Sequence, residues 1–145
     1  MAELSEGCWG FDAGALVYPR VSTCLTLSII NAGMIYGMHG VIVPEASQMN
    51  IAQLIGKLKT YKPMGLDAKL VVACDLGIWG ATGSRFAENR GNVAGVRNFK
   101  DLADHLGISQ SRVTLVDVGD GTPFFNRQSS SASFRVDITG AIRAS

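Results

Sequence analysis

One segment, VSTCLTLSIINAGMIYGMHGV at residues 21–41, constrains the fold more than any other. Two apolar, alternating runs flank an Asn31-Ala32-Gly33 turn signal, which is the pattern of a β-hairpin. A two-residue turn at Asn31 and Ala32 sets Leu25 opposite Met38, Leu27 opposite Tyr36 and Ile29 opposite Met34. That side is wholly apolar, as a buried sheet face requires. The other side then pairs Cys24 with His39, Thr26 with Gly37 and Ser28 with Ile35. Side chains directly opposite have Cβ atoms about 4.5–5.5 Å apart, within reach of a thiol–imidazole hydrogen bond. A turn at Ala32 and Gly33 keeps Cys24 and His39 on one face but on a diagonal.

The rest of the chain supplies layers for this hairpin. A short strand is expected around residues 15–18, after a glycine-rich and irregular opening. Past Pro44 the period changes: Met49, Ile51, Ala52, Leu54, Ile55 and Leu58 recur at helical spacing, with Ser47 as the N-cap and Pro63 and Gly65 as terminators. The run AKLVVACDLG, residues 68–77, is a strand, and the glycine-rich IWGATGSRFAENRGN reads as a long loop. A second helix is expected over residues 93–106, stopped by Gly107. RVTLVDVG and SFRVDITGAI are the last strands, and RQSSSAS before the final one reads as a mobile loop. The expected architecture is one domain over residues 1–145, an α+β layered sandwich with a mixed β-sheet and two main helices.

Composition excludes several classes. The formal net charge is +1 and the Lys and Arg residues are scattered, so no nucleic-acid partner is expected. No apolar run reaches the roughly 18 residues of a membrane span. The start, MAELSEGCWG, has no basic stretch followed by an apolar one, so no cleaved signal is expected. The protein is then cytoplasmic or exported by a signal-independent route. Three cysteines, Cys8, Cys24 and Cys74, are widely spaced and form no CxxC. Free thiols, no metal and no cofactor are the expectation.

Proximity of Cys24 and His39 carries chemistry. An imidazolium beside a thiol stabilises the thiolate, which attacks a carbonyl carbon. The histidine then protonates the departing amine. Gly37 beside the pair leaves room for a substrate. The competing reading is core packing, since buried unreactive cysteines are common.

Longer stretches carry a family resemblance. STCLTLSIINAGMIYGMHGVIVP resembles the chemoreceptor glutamine deamidases, in which a turn ending in Ser-Cys leads into an apolar strand. A Gly-Met-rich strand bearing the catalytic histidine follows there. AENRGNVAGVRNFKDLADHLGI looks like that family's GERN stretch and following helix, VTLVDVGDG like its strand ending in DVGG, and SFRVDITGAI like its closing strand. His39 follows Cys24 by fifteen positions, a spacing similar to that of the cytotoxic necrotizing factor deamidase domains. The family's Gly-Ser-Cys is Ser22-Thr23-Cys24 here, four residues rather than three separate His39 from Pro44, and TPFFNRQSSSAS replaces a basic segment.

The resemblance implies a cysteine-dependent protein-glutamine deamidase. Cys24 would attack a glutamine amide, His39 would activate the thiol and protonate ammonia, and the Cys24 amide would hold the oxyanion. It implies a third group at Tyr18, six positions before Cys24, orienting the histidine through its hydroxyl or carbonyl. Thr23 and Gly37 are the substrate-binding candidates, and the partner is a protein presenting a glutamine, on a chemoreceptor or in a foreign host. Two other classes stay open: a non-catalytic binding module on the same fold, and another papain-like thiol hydrolase or transglutaminase.

The remaining candidates read as structure. Cys74 is expected in the core, His105 on the surface, and Cys8 as incidental. Asp117, Asp120 and the GDG turn lack the spacing of a phosphate or calcium loop and suit a rim loop. Trp79 and Phe86 either cap the core or meet a protein substrate, with capping favoured.

Overall fold

The fold is that of a computed structural model, described over residues 1–61, 67–88 and 93–145. The described elements run β1 (Ala2–Glu3), β2 (Cys8–Asp12), β3 (Ala15–Val21), β4 (Leu25–Asn31), β5 (Met34–Gly40), α1 (Ile51–Tyr61), β6 (Lys69–Cys74) and α2 (Leu76–Trp79). They continue with α3 (Phe99–His105), β7 (Val113–Asp117), β8 (Phe125–Asn126), β9 (Ser131–Asp137) and β10 (Ile142–Ala144). The expected α+β layered architecture is what these elements build, but with two sheets rather than one. The first is ordered β1-β3-β9-β10, with β8 also paired to β9, and the second β2-β5-β4-β6-β7.

The hairpin β4–β5 is the centre of the second sheet. Its turn is at Ala32 and Gly33, both at positive φ (53° and 77°), and not at Asn31 and Ala32. A tight hairpin turn that follows the strand twist needs positive φ at both central residues, and glycine takes the second at no steric cost. The register therefore shifts by two: Leu25 pairs with Gly40, Thr26 with His39, Leu27 with Met38 and Ile29 with Tyr36. A shift of two preserves the faces, so the apolar side expected from the sequence is the side that packs.

That side, Leu25, Leu27, Ile29 and Met38, meets Ile51, Leu54, Ile55 and Leu58 of α1 and Phe99, Leu102 and Ala103 of α3 in one buried cluster. Val72 and Cys74 of β6 complete the layer. The opposite face of the same sheet packs on the first sheet through Ile30, Ile35, Val71 and Ala73 against Leu16, Tyr18, Phe134 and Val136. The molecule is thus sheet on sheet on helices. Between the sheets runs a buried polar strip of Thr26, Ser28 and His39. The Thr26 hydroxyl donates to the Ala73 carbonyl at 2.7 Å, as a buried hydroxyl must find a partner.

Several local expectations are corrected. The cap of α1 is Asn50, not Ser47: its side chain accepts from the Gln53 amide at 2.8 Å, and Gln53 accepts from the Asn50 amide at 2.9 Å, a reciprocal capping box. The opening residues form β1 and β2, and β2 is the edge partner of β5. The glycine-rich loop holds α2, capped by Asp75, and a 3-10 turn at Ser84–Glu88. The second helix is shorter than expected and begins after its Asn98 cap. SFRVDITGAI is a hairpin of β9 and β10, and the serine patch leads straight into β9, with Ser131 buried. Pro63 and Gly65 lie outside the described residues, as do residues 89–92 of the GERN-like stretch. Among the described residues no helix is long and apolar enough to cross a membrane.

Candidate functional site

Residues 4–7 cross from β1 in one sheet to β2 in the other. Leu4 donates its amide to the Val17 carbonyl at 2.8 Å, and Gly7 donates to the His39 carbonyl at 2.7 Å. Gly7 lies at φ 77° with its Cα against Gln48, where a Cβ would come within 2.8 Å of that side chain. This crossing segment closes the end of the sandwich where β4 starts and β5 ends, and Cys24 and His39 lie beneath it.

Cys24 precedes β4 and His39 pairs with Thr26, so the two stand on a diagonal of one face. Both are buried, at 2% and 0% exposure. His39 Nδ1 meets the Leu4 carbonyl oxygen at 2.8 Å. A carbonyl only accepts, so Nδ1 carries the hydrogen and Nε2 keeps its lone pair. Nε2 is fully buried and has no hydrogen-bond partner. The Cys24 thiol donates to Glu6 Oε1 at 3.8 Å. The thiol sulfur, a His39 ring nitrogen and a Glu6 carboxylate oxygen all lie within 4.8 Å of one another.

Burial dominates the electrostatics of the pair. Burial pushes the Cys24 thiol up to about 12, the Glu6 carboxylate adds to the rise, and hydrogen bonds from the Ser22 and Cys24 amides oppose it. Burial lowers the His39 pKa, against the pull of the Leu4 carbonyl and Glu6. Both shifts favour a thiol beside an unprotonated imidazole over a thiolate–imidazolium pair. The Ser22 and Cys24 amides favour the ionised sulfur but do not outweigh its burial.

Other candidates fall elsewhere. The Tyr18 hydroxyl donates to the Leu27 carbonyl at 3.1 Å and pairs with Ser28 Oγ at 2.7 Å. Its ring lies edge-on to His39 with centroids 6.2 Å apart. The group on His39 Nδ1 is the Leu4 carbonyl, so Tyr18 packs against the imidazole and Leu4 orients it. Gly37 does not open a substrate space. A Cβ there would fall on the Tyr18 hydroxyl and 2.5 Å from Leu16 Cδ1, so the gap is filled from β3. Thr23 is exposed beside Cys24, and its carbonyl accepts from Trp79 Nε1 at 3.0 Å.

Trp79 and Phe86 are buried and cap the helix-side core, with ring centroids 6.1 Å apart. Cys74 is buried on the face opposite Cys24, all three cysteines are free, and Cys8 is exposed on β2. His105 is half-buried on α3. Asp117 accepts from the Leu76 and Gly119 amides at 3.2 and 3.0 Å, and Asp120 pairs with Arg127 at 3.0 Å. Their turn leaves the sheet at the Cys24 end, since Leu25 pairs with Cys74 and Cys74 with Asp117.

Sequence reasoning did not find the Leu4 carbonyl, Glu6 or the Ser22 amide. A backbone carbonyl leaves no trace in residue type. No protein-family model and no curated protein matches this chain.

Proposed function

We propose that this protein is a cysteine-dependent protein-glutamine deamidase, similar in chemistry to the chemoreceptor deamidases and the cytotoxic necrotizing factor domains. The observation that carries the reading is a buried His39 whose Nδ1 is fixed by a backbone carbonyl and whose unpartnered Nε2 is the nitrogen left to take the Cys24 proton. Nucleophile, base and orienting group are the three parts that thiol catalysis needs.

Attack by Sγ on the glutamine δ-carbon coincides with transfer of the thiol proton to His39 Nε2. A thiol held neutral favours this coupled transfer over a preformed thiolate. The oxyanion donor on this reading is the Cys24 amide. Collapse breaks the C–N bond, His39 returns its proton to the leaving nitrogen, and ammonia departs. Water then adds to the thioester with His39 as base, giving glutamate and the free thiol. The glutamine enters where the exposed Glu6 side chain now covers the sulfur, beside a groove of about 330 Å³ lined by Glu3, Ser5, Glu6, Pro19, Arg20 and Gln48. The partner on this reading is a protein with an exposed glutamine, either a chemoreceptor in the cytoplasm or a host protein reached by signal-independent export.

The test is ammonia release from a library of glutamine-containing peptides in ¹⁸O water with a chelator present. Gln-to-Glu conversion with label in the new carboxylate is expected, and its loss in Cys24→Ala and His39→Ala of unchanged circular dichroism. Conversion that survives in either variant removes the dyad. A non-catalytic binding module would release no ammonia in wild type.

A further inference from the structure

A carboxylate above a thiol and an imidazole is more than a general base needs. Glu6, Cys24 and His39 come from three separated parts of the chain, yet their ligand atoms converge within 4.8 Å. Two independent features point to a ligand. His39 Nε2 is wholly buried, without a partner, at 0% exposure. Its other nitrogen is bonded to the Leu4 carbonyl, the outer contact that fixes the tautomer of a metal-binding imidazole.

We propose that Glu6 Oε, Cys24 Sγ and His39 Nε2 form a three-ligand site for a thiophilic divalent cation such as Zn²⁺. Bonds of about 2.0–2.3 Å in a tetrahedron set ligands roughly 3.3–3.8 Å apart. Sγ and Oε1 already stand at 3.8 Å, and the remaining separations, within 4.8 Å, need to close by at most about 1.5 Å. Binding forms a metal–sulfur bond and releases the thiol proton to solvent. One thiolate and one carboxylate then balance the dication, with a neutral imidazole as third ligand, so the buried site carries no net charge. Such a balance suits a site in which two of the three ligands are buried. Glu6 is the exposed member and the point of entry. The fourth position is open to water or a solute, as in three-ligand zinc sites.

The site stands on geometry alone. Its consequence, that the ion holds the nucleophile and base and so silences turnover, rests on the deamidase reading.

The experiment is Co²⁺ titration of the intact chain, read as a thiolate-to-cobalt charge-transfer band with tetrahedral d–d absorption, and displacement by Zn²⁺. One ion per chain is expected, with the thiolate band lost in Cys24→Ser and retained in Cys8→Ser. Affinity falls by more than about tenfold in Glu6→Gln, since loss of even an outer-shell partner costs 10–100-fold. Glu6 is exposed, so that variant tests the site without a core change. No thiolate band in wild type, or a band that persists in Cys24→Ser, overturns the proposal. Ammonia release in chelator without a cobalt band leaves the deamidase reading and ends the metal site. A band without ammonia release does the reverse.

Discussion

Replacing Glu6 with Gln should make Cys24 more reactive, and the size of the gain follows from the site. At 3.8 Å a carboxylate and a thiolate repel by about 4 kcal/mol at an effective dielectric of about 20. That is an upper bound, because Glu6 is exposed and solvent screens it. The thiol rises from an ordinary 9.0 to about 12, with burial as the larger cause and Glu6 as the second. Removing that charge lowers the thiol pKa, and each pH unit of relief is a tenfold change in thiolate. Gln is isosteric and still covers the sulfur, so burial is retained. Iodoacetamide alkylation near neutral pH in chelator, mapped to Cys24 by mass spectrometry, should therefore run faster in Glu6→Gln, about tenfold for each pH unit by which the thiol is relieved. Cys8 in the same sample is the internal standard. An unchanged or slower Cys24 rate would refute the argument that the carboxylate suppresses the thiolate.

Other outcomes follow from the same structure. Cys24 and Cys74 are both raised by burial, so the folded state holds protons that the unfolded chain gives up above about pH 9. Stability to urea should fall from about pH 9 upward by as much as about 1.4 kcal/mol per pH unit for each thiol, and a flat profile would contradict the burial of both. His39 is shifted the other way, so its contribution is present above about 6.5 and is lost as pH drops below that value; His39→Gln should flatten the acid limb of the same urea series. Gly37→Ala puts a methyl on the Tyr18 hydroxyl and should cost about 1–3 kcal/mol, less in a Tyr18→Phe background. Asn50→Ala removes the α1 cap and should cost about 1 kcal/mol in the same denaturation assay.

What the sequence displays is what residue type and period encode. The apolar face of β4 and β5 was legible because strand alternation is independent of the exact partner, and the Ala32 and Gly33 alternative lay within the same pattern. The chosen turn was wrong by one residue because apolar pairing alone does not weigh the positive φ that glycine relieves. β1 and β2 were missed because Gly7 and Gly10 look like loop, although Gly7 marks a bend and Gly10 a close approach to Leu4. The second sheet was invisible as a sheet: β9 was read as one long strand, and its partners are distant in sequence. At the site, the proximity of Cys24 and His39 was readable from the hairpin. The orienting Leu4 carbonyl and the covering Glu6 were not, since they arrive on a crossing segment that no periodicity announces. Tyr18 was assigned by position and packs on His39 through its ring, while its hydroxyl is used by Leu27 and Ser28.

The central claim is that Cys24 attacks a glutamine carbonyl with His39 as its base. The most direct measurement treats the protein, in chelator, with a short peptide carrying a chloroketone in place of the glutamine amide and locates the adduct by mass spectrometry. The expected result is a thioether that forms on Cys24 faster than on the exposed Cys8 in wild type, with near-complete loss of the Cys24 adduct in His39→Ala while the Cys8 rate is unchanged. Labelling of Cys8 ahead of Cys24, or an adduct that forms on Cys24 equally fast without His39, would contradict it.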